Sequence, residues 1–402
     1  MTPLLLLHEW SDLLIRWVHV IAGIAWIGSS FYFIHLDLSL IKRDHLPQGV
    51  SGEAWQVHGG GFYHMQKYVV APDRMPKELT WFKWEAYMTF LTGFAMLVVH
   101  YYANADLYLI DRTVLALEPW QAISISIGVM VLGWAFYDTL CKSKLGNNDV
   151  ALAAVGFVFL VAMAYGLTHV FSGRGAFVQL GAVIGTIMVA NVAMNIIPNQ
   201  RKTVAALIAG QAPNPAYGKT AKSRSLHNNY LTLPVIFMMI SNHYPLAFGS
   251  KYNWVIATLT LIIGGVIRHF YNERHAHRAS PWWTWIVAAI AFIGIILLSG
   301  VGTLWASAAA TPAAPVTFAQ VEQIVVSRCS MCHAQEPVWE GLAVAPKGVA
   351  LDTPQSIKAH ATQIYLQAVA TNSMPPGGNL TEISVDERQV LAAWFDQGAK
   401  AQ

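Results

Sequence analysis

The sequence predicts an all-α protein: a polytopic eight-helix transmembrane bundle over residues 1–305, a linker at 306–315 and a small soluble α-helical domain at 316–402. Three observations carry this. The 402 residues are 55% hydrophobic and only 12% charged, with a mean hydropathy of +0.42, which is too apolar for a soluble chain. The apolar residues gather into runs of roughly 20, the length that crosses a bilayer core. From residue 316 the pattern breaks: eight acids (Glu322, Glu336, Glu340, Asp352, Glu382, Asp386, Glu387, Asp396) face five bases (Arg328, Lys347, Lys358, Arg388, Lys400), so a basic membrane part is joined to a mildly acidic soluble one.

The apolar runs fall at about 13–38, 81–103, 119–140, 150–171, 175–198, 226–248, 252–270 and 282–305. The shortest connections, Ser172 to Gly175 and Gly249 to Lys251, force antiparallel hairpins, and Pro198, Pro234, Pro245 and Pro281 mark ends or kinks. No positive segment precedes the first run, which opens on Arg16, Trp17 and His19, so it reads as a retained span and not a cleaved signal. Fifteen Lys and Arg lie in the connections on one side of the predicted bundle, including Lys42 to Lys77 and Arg201 to Arg224, whereas the other side holds Arg112, Arg174 and Lys251. The rule that basic loops stay inside then puts both termini, and with them the C-terminal domain, outside. The Ala/Pro-rich linker tethers that domain close to the outer face, at high effective concentration.

Cys329-Ser330-Met331-Cys332-His333 is a C-x-x-C-H run. Two thiols at this spacing attach to the vinyl groups of a haem, and the following His ligates the iron. A zinc knuckle would need a second Cys pair, and the third cysteine, Cys141, lies far upstream. The C-terminal domain is therefore predicted to be a cytochrome c domain with one covalent haem c. Its expected place outside agrees, since covalent haem attachment belongs to the periplasmic or equivalent compartment. Among the remaining candidates for the sixth ligand, Met331 is trapped inside the motif and His360 sits in an amphipathic stretch, Pro354 to Ala370, where it reads as solvent-facing. Met374, followed by Pro375-Pro376-Gly377-Gly378, is the expected ligand, because that loop can hold its thioether against a haem face. His333 and Met374 are thus the expected iron ligands.

Ionisable groups inside a bilayer are costly and mark function. In the predicted topology His19, His100, His169 and His243 gather toward the outer leaflet, and His35, His58, His64, His227 and His269 toward the inner one. Each alone also reads as an interfacial residue bonded to water or a carbonyl. Four at one depth suit a redox site, either a haem b clamped between helices or a metal, and the sequence leaves open which pair would ligate it. Met88, Met96, Trp81 and Trp84 read as packing and interfacial aromatics.

The inner connection between the first two spans combines glycines, aromatics and polar groups: Gly52 to His64, with His58 and His64 flanking Gly59-Gly60-Gly61, then Pro72 to Glu78 around Arg74, then Trp81 to Glu85. A flat polar heterocycle would suit it, with His58, His64 and Arg74 as candidate contacts. A structured connector obeying the charge rule fits equally. Asp138 adds an acid at the same level, and Asn191 and Asn195 lie four apart on one helix face.

The segments Trp17 to Phe33, His58 to Tyr63 and Trp81 to Tyr87 resemble the bacterial membrane-bound urate hydroxylases, in which a eight-span urate oxidase domain is fused to a C-terminal cytochrome c; the likeness covers the whole chain. The resemblance implies an oxidoreductase that converts urate to 5-hydroxyisourate, with water supplying the oxygen and the fused c-type haem, not O2, taking the electrons. It names no catalytic residues. The partners it implies are urate, membrane lipid and a downstream electron acceptor in the periplasm or respiratory chain; no nucleic-acid partner is expected. The alternative is a quinol-linked b/c-type electron-transfer protein without urate activity. A transporter leaves the haem motif unexplained, a mere membrane anchor leaves the histidines unexplained, and no Walker, Rossmann or Ser-nucleophile pattern is present.

Overall fold

The computed structural model describes residues 3–68, 75–309, 315–339 and 342–400. Helix α1 (Pro3–Ser39) leads into an antiparallel hairpin, β1 (Val50–His58) and β2 (Gly61–Tyr68), in which Trp55 pairs with His64 and Val57 with Phe62. This departs from the purely helical expectation. The glycines expected to admit a ligand instead turn the hairpin: Gly59 and Gly60 have φ of 56° and 77°, a two-residue turn that side-chain-bearing residues resist.

Helix α2 (Trp84–Met96) continues through a π turn, Leu97–Tyr102, to the short α3 (Ala105–Tyr108). Helix α4 (Pro119–Lys142) starts with Pro at its first position and a reciprocal Glu118/Gln121 cap. Asn148 caps α5 (Asp149–Thr168), and Ser172 caps α6 (Gly173–Ala190), which runs through a π turn, Asn191–Ile196, into α7 (Ile197–Ile208). Then come α8 (Pro215–Ser241), α9 (Pro245–Phe248), α10 (Asn253–His275) and α11 (Trp283–Ala309).

Among the described residues six helical segments are long and apolar enough to cross a membrane: Glu9–Ser39, Pro119–Lys142, Asp149–Thr168, Gly173–Ile208, Asn253–His275 and Trp283–Gly300. Two of the eight expected spans fall outside that description for physical reasons. The α-helical part of α2 has 13 residues, and α8 carries Lys219, Lys222, Arg224, His227, Asn228 and Asn229 in its first half. Both nevertheless pack in the bundle, α2 on α1 and α8 on α6 and α10. At the α8/α10 crossing the helices come so close that a Cβ on Gly264 would lie 2.4 Å from the Pro234 ring. Helix α6 is the centre of the bundle, with Phe177, Leu180, Val183 and Ile184 almost wholly buried. The outward faces of α1 and α11 expose Leu13, Val20 and Ile24, and Ile286, Ile290 and Ile293, as lipid-facing helices do.

The chain's C-terminal part has its own core. Helix α12 (Phe318–Arg328) packs on α16 (Val385–Asp396), and Phe318, Val321, Ile357, Leu391 and Trp394 close around them. Between lie α13 (Pro354–Ala359), α14 (Ala361–Ile364), a π turn at Tyr365–Ala370 and α15 (Pro376–Asn379). The single helix expected from Pro354 to Ala370 is thus broken in three. Of the expected linker, helix α11 extends to Ala309, and 310–314 lie outside the described residues.

Candidate functional site

Helix α12 delivers the C-x-x-C-H run at its end. Cys329 caps the helix, and its carbonyl accepts the backbone N–H groups of Cys332 and His333 at 3.2 and 2.9 Å, a tight turn that folds both residues back over it. The cysteines are free thiols, and burial pushes Cys329 up to about 12 against the opposing charge of Arg388. His333 Nδ1 lies 2.8 Å from the Val349 carbonyl oxygen, which fixes that nitrogen as the donor and leaves Nε2 for other chemistry. Burial lowers the His333 pKa, the bond to Val349 opposes this, and His360 lowers it further. Two free thiols, a turn and an oriented imidazole form a donor set able to hold a covalent haem. His360 itself is bound to its own helix, Nδ1 to the Ser356 carbonyl at 2.9 Å.

The Met374 loop is clamped at several points. Its N–H donates to Gln367 O at 2.9 Å, and the Arg388 guanidinium donates to the carbonyls of Met374, at 3.0 Å, and Ala368. The loop also rests on the bundle. A Cβ on Gly377 would lie 2.6 Å from Asp106 O, and one on Gly378 2.5 Å from Asp111 Oδ1, while both glycines have positive φ. Only glycine meets both conditions, so the segment that carries Met374 is shaped to sit on the turn between α3 and α4. A cleft of about 1130 Å³ opens there, with Arg174, Lys251, Tyr252, Met374 and Arg388 in its walls. Lys347 lies nearby, its pKa lowered by burial and then by the positive charges of Arg174 and Arg16. The positive charges of Arg174 and Arg16 of the bundle are thus felt by Lys347 of the C-terminal module.

The four histidines expected at the outer level are held by different partners. His19 Nδ1 is within 3.0 Å of Thr89 O and 3.1 Å of Thr92 Oγ1, and its ring fills the space a side chain on Gly93 would occupy. His100 lies between Asp12, at 2.5 Å, and Arg16, at 2.7 Å. His169 is exposed at the end of α5, where Nδ1 contacts Tyr165 O and the ring packs on Tyr165 at 4.1 Å. His243 is exposed beyond α8. Among the described residues no three His, Cys, Asp or Glu side chains gather as for a metal ion.

At the opposite end, the hairpin residues serve the hairpin. His64 bonds Glu53 at 2.6 Å and stacks on Trp55 at 4.2 Å, and Glu53, almost wholly buried, also takes Arg43 at 3.0 Å. His58 is exposed, and Arg74 lies outside the described residues.

Arg224 and Arg268, expected in loops, lie with Asp138, Asn191 and further asparagines in two largely buried layers. In the first, Arg224 reaches Asp138 at 2.8 Å and Asn191 at 3.2 Å, while Asn191 also bonds Asn228 and Tyr137. In the second, Arg268 donates to Asn229 Oδ1 through Nε and Nη2 at 3.2 and 3.1 Å and to Asn272 Oδ1 at 3.1 Å, and lies 4.0 Å over the Phe31 ring. Arg224 and Arg268 are therefore buried groups and not loop charges, leaving thirteen of the fifteen bases for the orientation rule. The repeated asparagines within apolar helices were the signal for both layers.

A family model described as urate oxidase N-terminal matches residues 5–299. No curated protein and no solved structure matches the chain.

Proposed function

The chain belongs to the urate oxidase N-terminal family, and from that premise we propose that it is a membrane-bound oxidoreductase converting urate to 5-hydroxyisourate. In this reaction urate and one water yield 5-hydroxyisourate, two protons and two electrons. A c-type haem on Cys329 and Cys332 supplies a one-electron acceptor for these electrons, so that O2 is not needed. The family match over the bundle carries the substrate assignment, and the C-x-x-C-H turn carries the acceptor.

The residues around that turn suit such a group. Cys329 and Cys332 would hold it, His333 is oriented by Val349 to offer Nε2, and Arg388 pins the backbone of Met374, the second proposed iron ligand. Arg16, Arg174 and Lys347 supply positive charge that would suit the carboxylates of such a group. The Gly377-Gly378 contact with the bundle holds the C-terminal module against it, which suits delivery of electrons without a diffusing carrier.

We further propose eight spans, counting α2 with its π turn and α8, in a bacterial inner membrane, with both termini and the C-terminal module in the periplasm. A downstream acceptor there or in the respiratory chain would drain the haem. Mixing oxidised, purified protein with urate under anaerobic conditions should raise the reduced c-type bands. If a quinol raises them and urate does not, the chain is an electron-transfer protein and the urate assignment fails.

A further inference from the structure

The two buried arginines of the bundle differ in one respect. Arg224 has a carboxylate, Asp138 at 2.8 Å. Arg268 is only 5% exposed, yet among the described residues no ion pair joins it; its partners are the amide oxygens of Asn229 and Asn272 and the face of Phe31. A guanidinium buried in an apolar bundle without a counter-ion is costly, and amide oxygens soften that cost without cancelling the charge.

Unspent hydrogen-bonding groups accompany it. Asn229 is fully buried, and its Nδ2, a donor, has no partner among the described residues. Toward the same end of the helices His35 of α1 and His275 of α10 meet edge to face, ring centroids 4.4 Å apart, each with a buried Nδ1 that likewise has no partner there. Phe31 and His35 are one turn apart on α1, about 6 Å along its axis. A flat bicyclic ring can bridge that spacing, beside the Phe31 ring on which Arg268 lies.

We propose that Phe31, His35, Asn229, Arg268, Asn272 and His275 form the binding site for a planar, singly charged anionic heterocycle, in which the ligand is the missing counter-ion of Arg268. Resting on the urate reading above, the ligand is the urate monoanion: Arg268 takes its charge, Asn229 Nδ2 donates to a ring carbonyl, and the half-buried histidines at the rim contact the ring edge. The hairpin is tied beside this rim, through Tyr32 Oη donating to Gln56 at 2.7 Å and Lys67 pairing with Asp37.

The test is equilibrium dialysis of radiolabelled urate, and separately of xanthine, against full-length purified protein and two variants. In Asn229→Asp an internal carboxylate takes the ligand's place beside Arg268. The protein should melt no lower than the unmodified one and bind urate at least tenfold more weakly. His275→Asn, at the half-exposed rim, should weaken binding by a similar factor and decides the matter if Asn229→Asp does not fold. Wild-type affinity in both folded variants, or an unmodified protein that binds neither purine, overturns the site. If the unmodified protein binds xanthine but not urate, and the variants lose that binding, the site stands and the urate reading falls.

Discussion

Met374 is where single-residue chemistry is most exposed to test, because Arg388 holds its backbone while nothing else in its loop can ligate iron. Met374→Ala should abolish the near-infrared Met-to-iron band and lower the haem potential, since a His/Met pair raises it; a band that survives the change, or is missing from the unmodified protein, removes Met374 as ligand. The Cys329–His333 run stands out in the sequence by its spacing, and the structure folds it into a tight turn at the end of α12. Arg268 and Arg224 were not legible as buried groups, because hydropathy treats any arginine as a span end. Their burial depends on Asn229 and Asp138, which lie 39 and 86 residues away.

At the scale of elements, α8 is a helix whose polar first half is made tolerable by its neighbours. Arg224→Ala would leave the buried Asn191 Oδ1 without its donor and remove one of the two cations on the partly buried Asp138, which keeps Lys142, a loss of about 1–3 kcal/mol. Thermal melting of the purified protein should fall by several degrees, and replacing Arg224 and Asp138 together by apolar residues should recover most of it. An unchanged melting curve for the single variant would mean that the layer carries no stability. The same polar residues explain why only the later, more apolar part of α8 is legible in the sequence, as the run at 226–248. The hairpin was missed differently: Gly59-Gly60 between aromatic and β-branched residues is a turn signal, but its glycines were read as room for a ligand.

For the whole molecule, the proposed topology, with the hairpin and the loop after α7 inside, rests on thirteen bases on one side against three on the other. A phosphatase fused after Lys202 should stay inside and be inactive; a fusion active in the periplasm would contradict this topology. Arg268 then lies about 22 Å along α10 from its outer start at Asn253, too far from the C-terminal module for a single electron transfer. We therefore expect a non-covalent redox centre between them, held by at least two of His19, His100, His169 and His243. The expected centre is a haem b or a metal ion. A pyridine haemochrome should count haem b beside haem c, with His19→Ala removing the former; a single haem c and no metal in protein that turns over would exclude it.

The central claim, that urate oxidation is coupled to the attached haem without oxygen, is tested most directly by an anaerobic titration of the fully oxidised protein with urate. The coupled reaction releases two electrons per urate, so the c-type bands should rise to full reduction with 5-hydroxyisourate as the product and no peroxide formed. Bands that stay oxidised under anaerobic urate, or that respond only once oxygen is admitted, would contradict it.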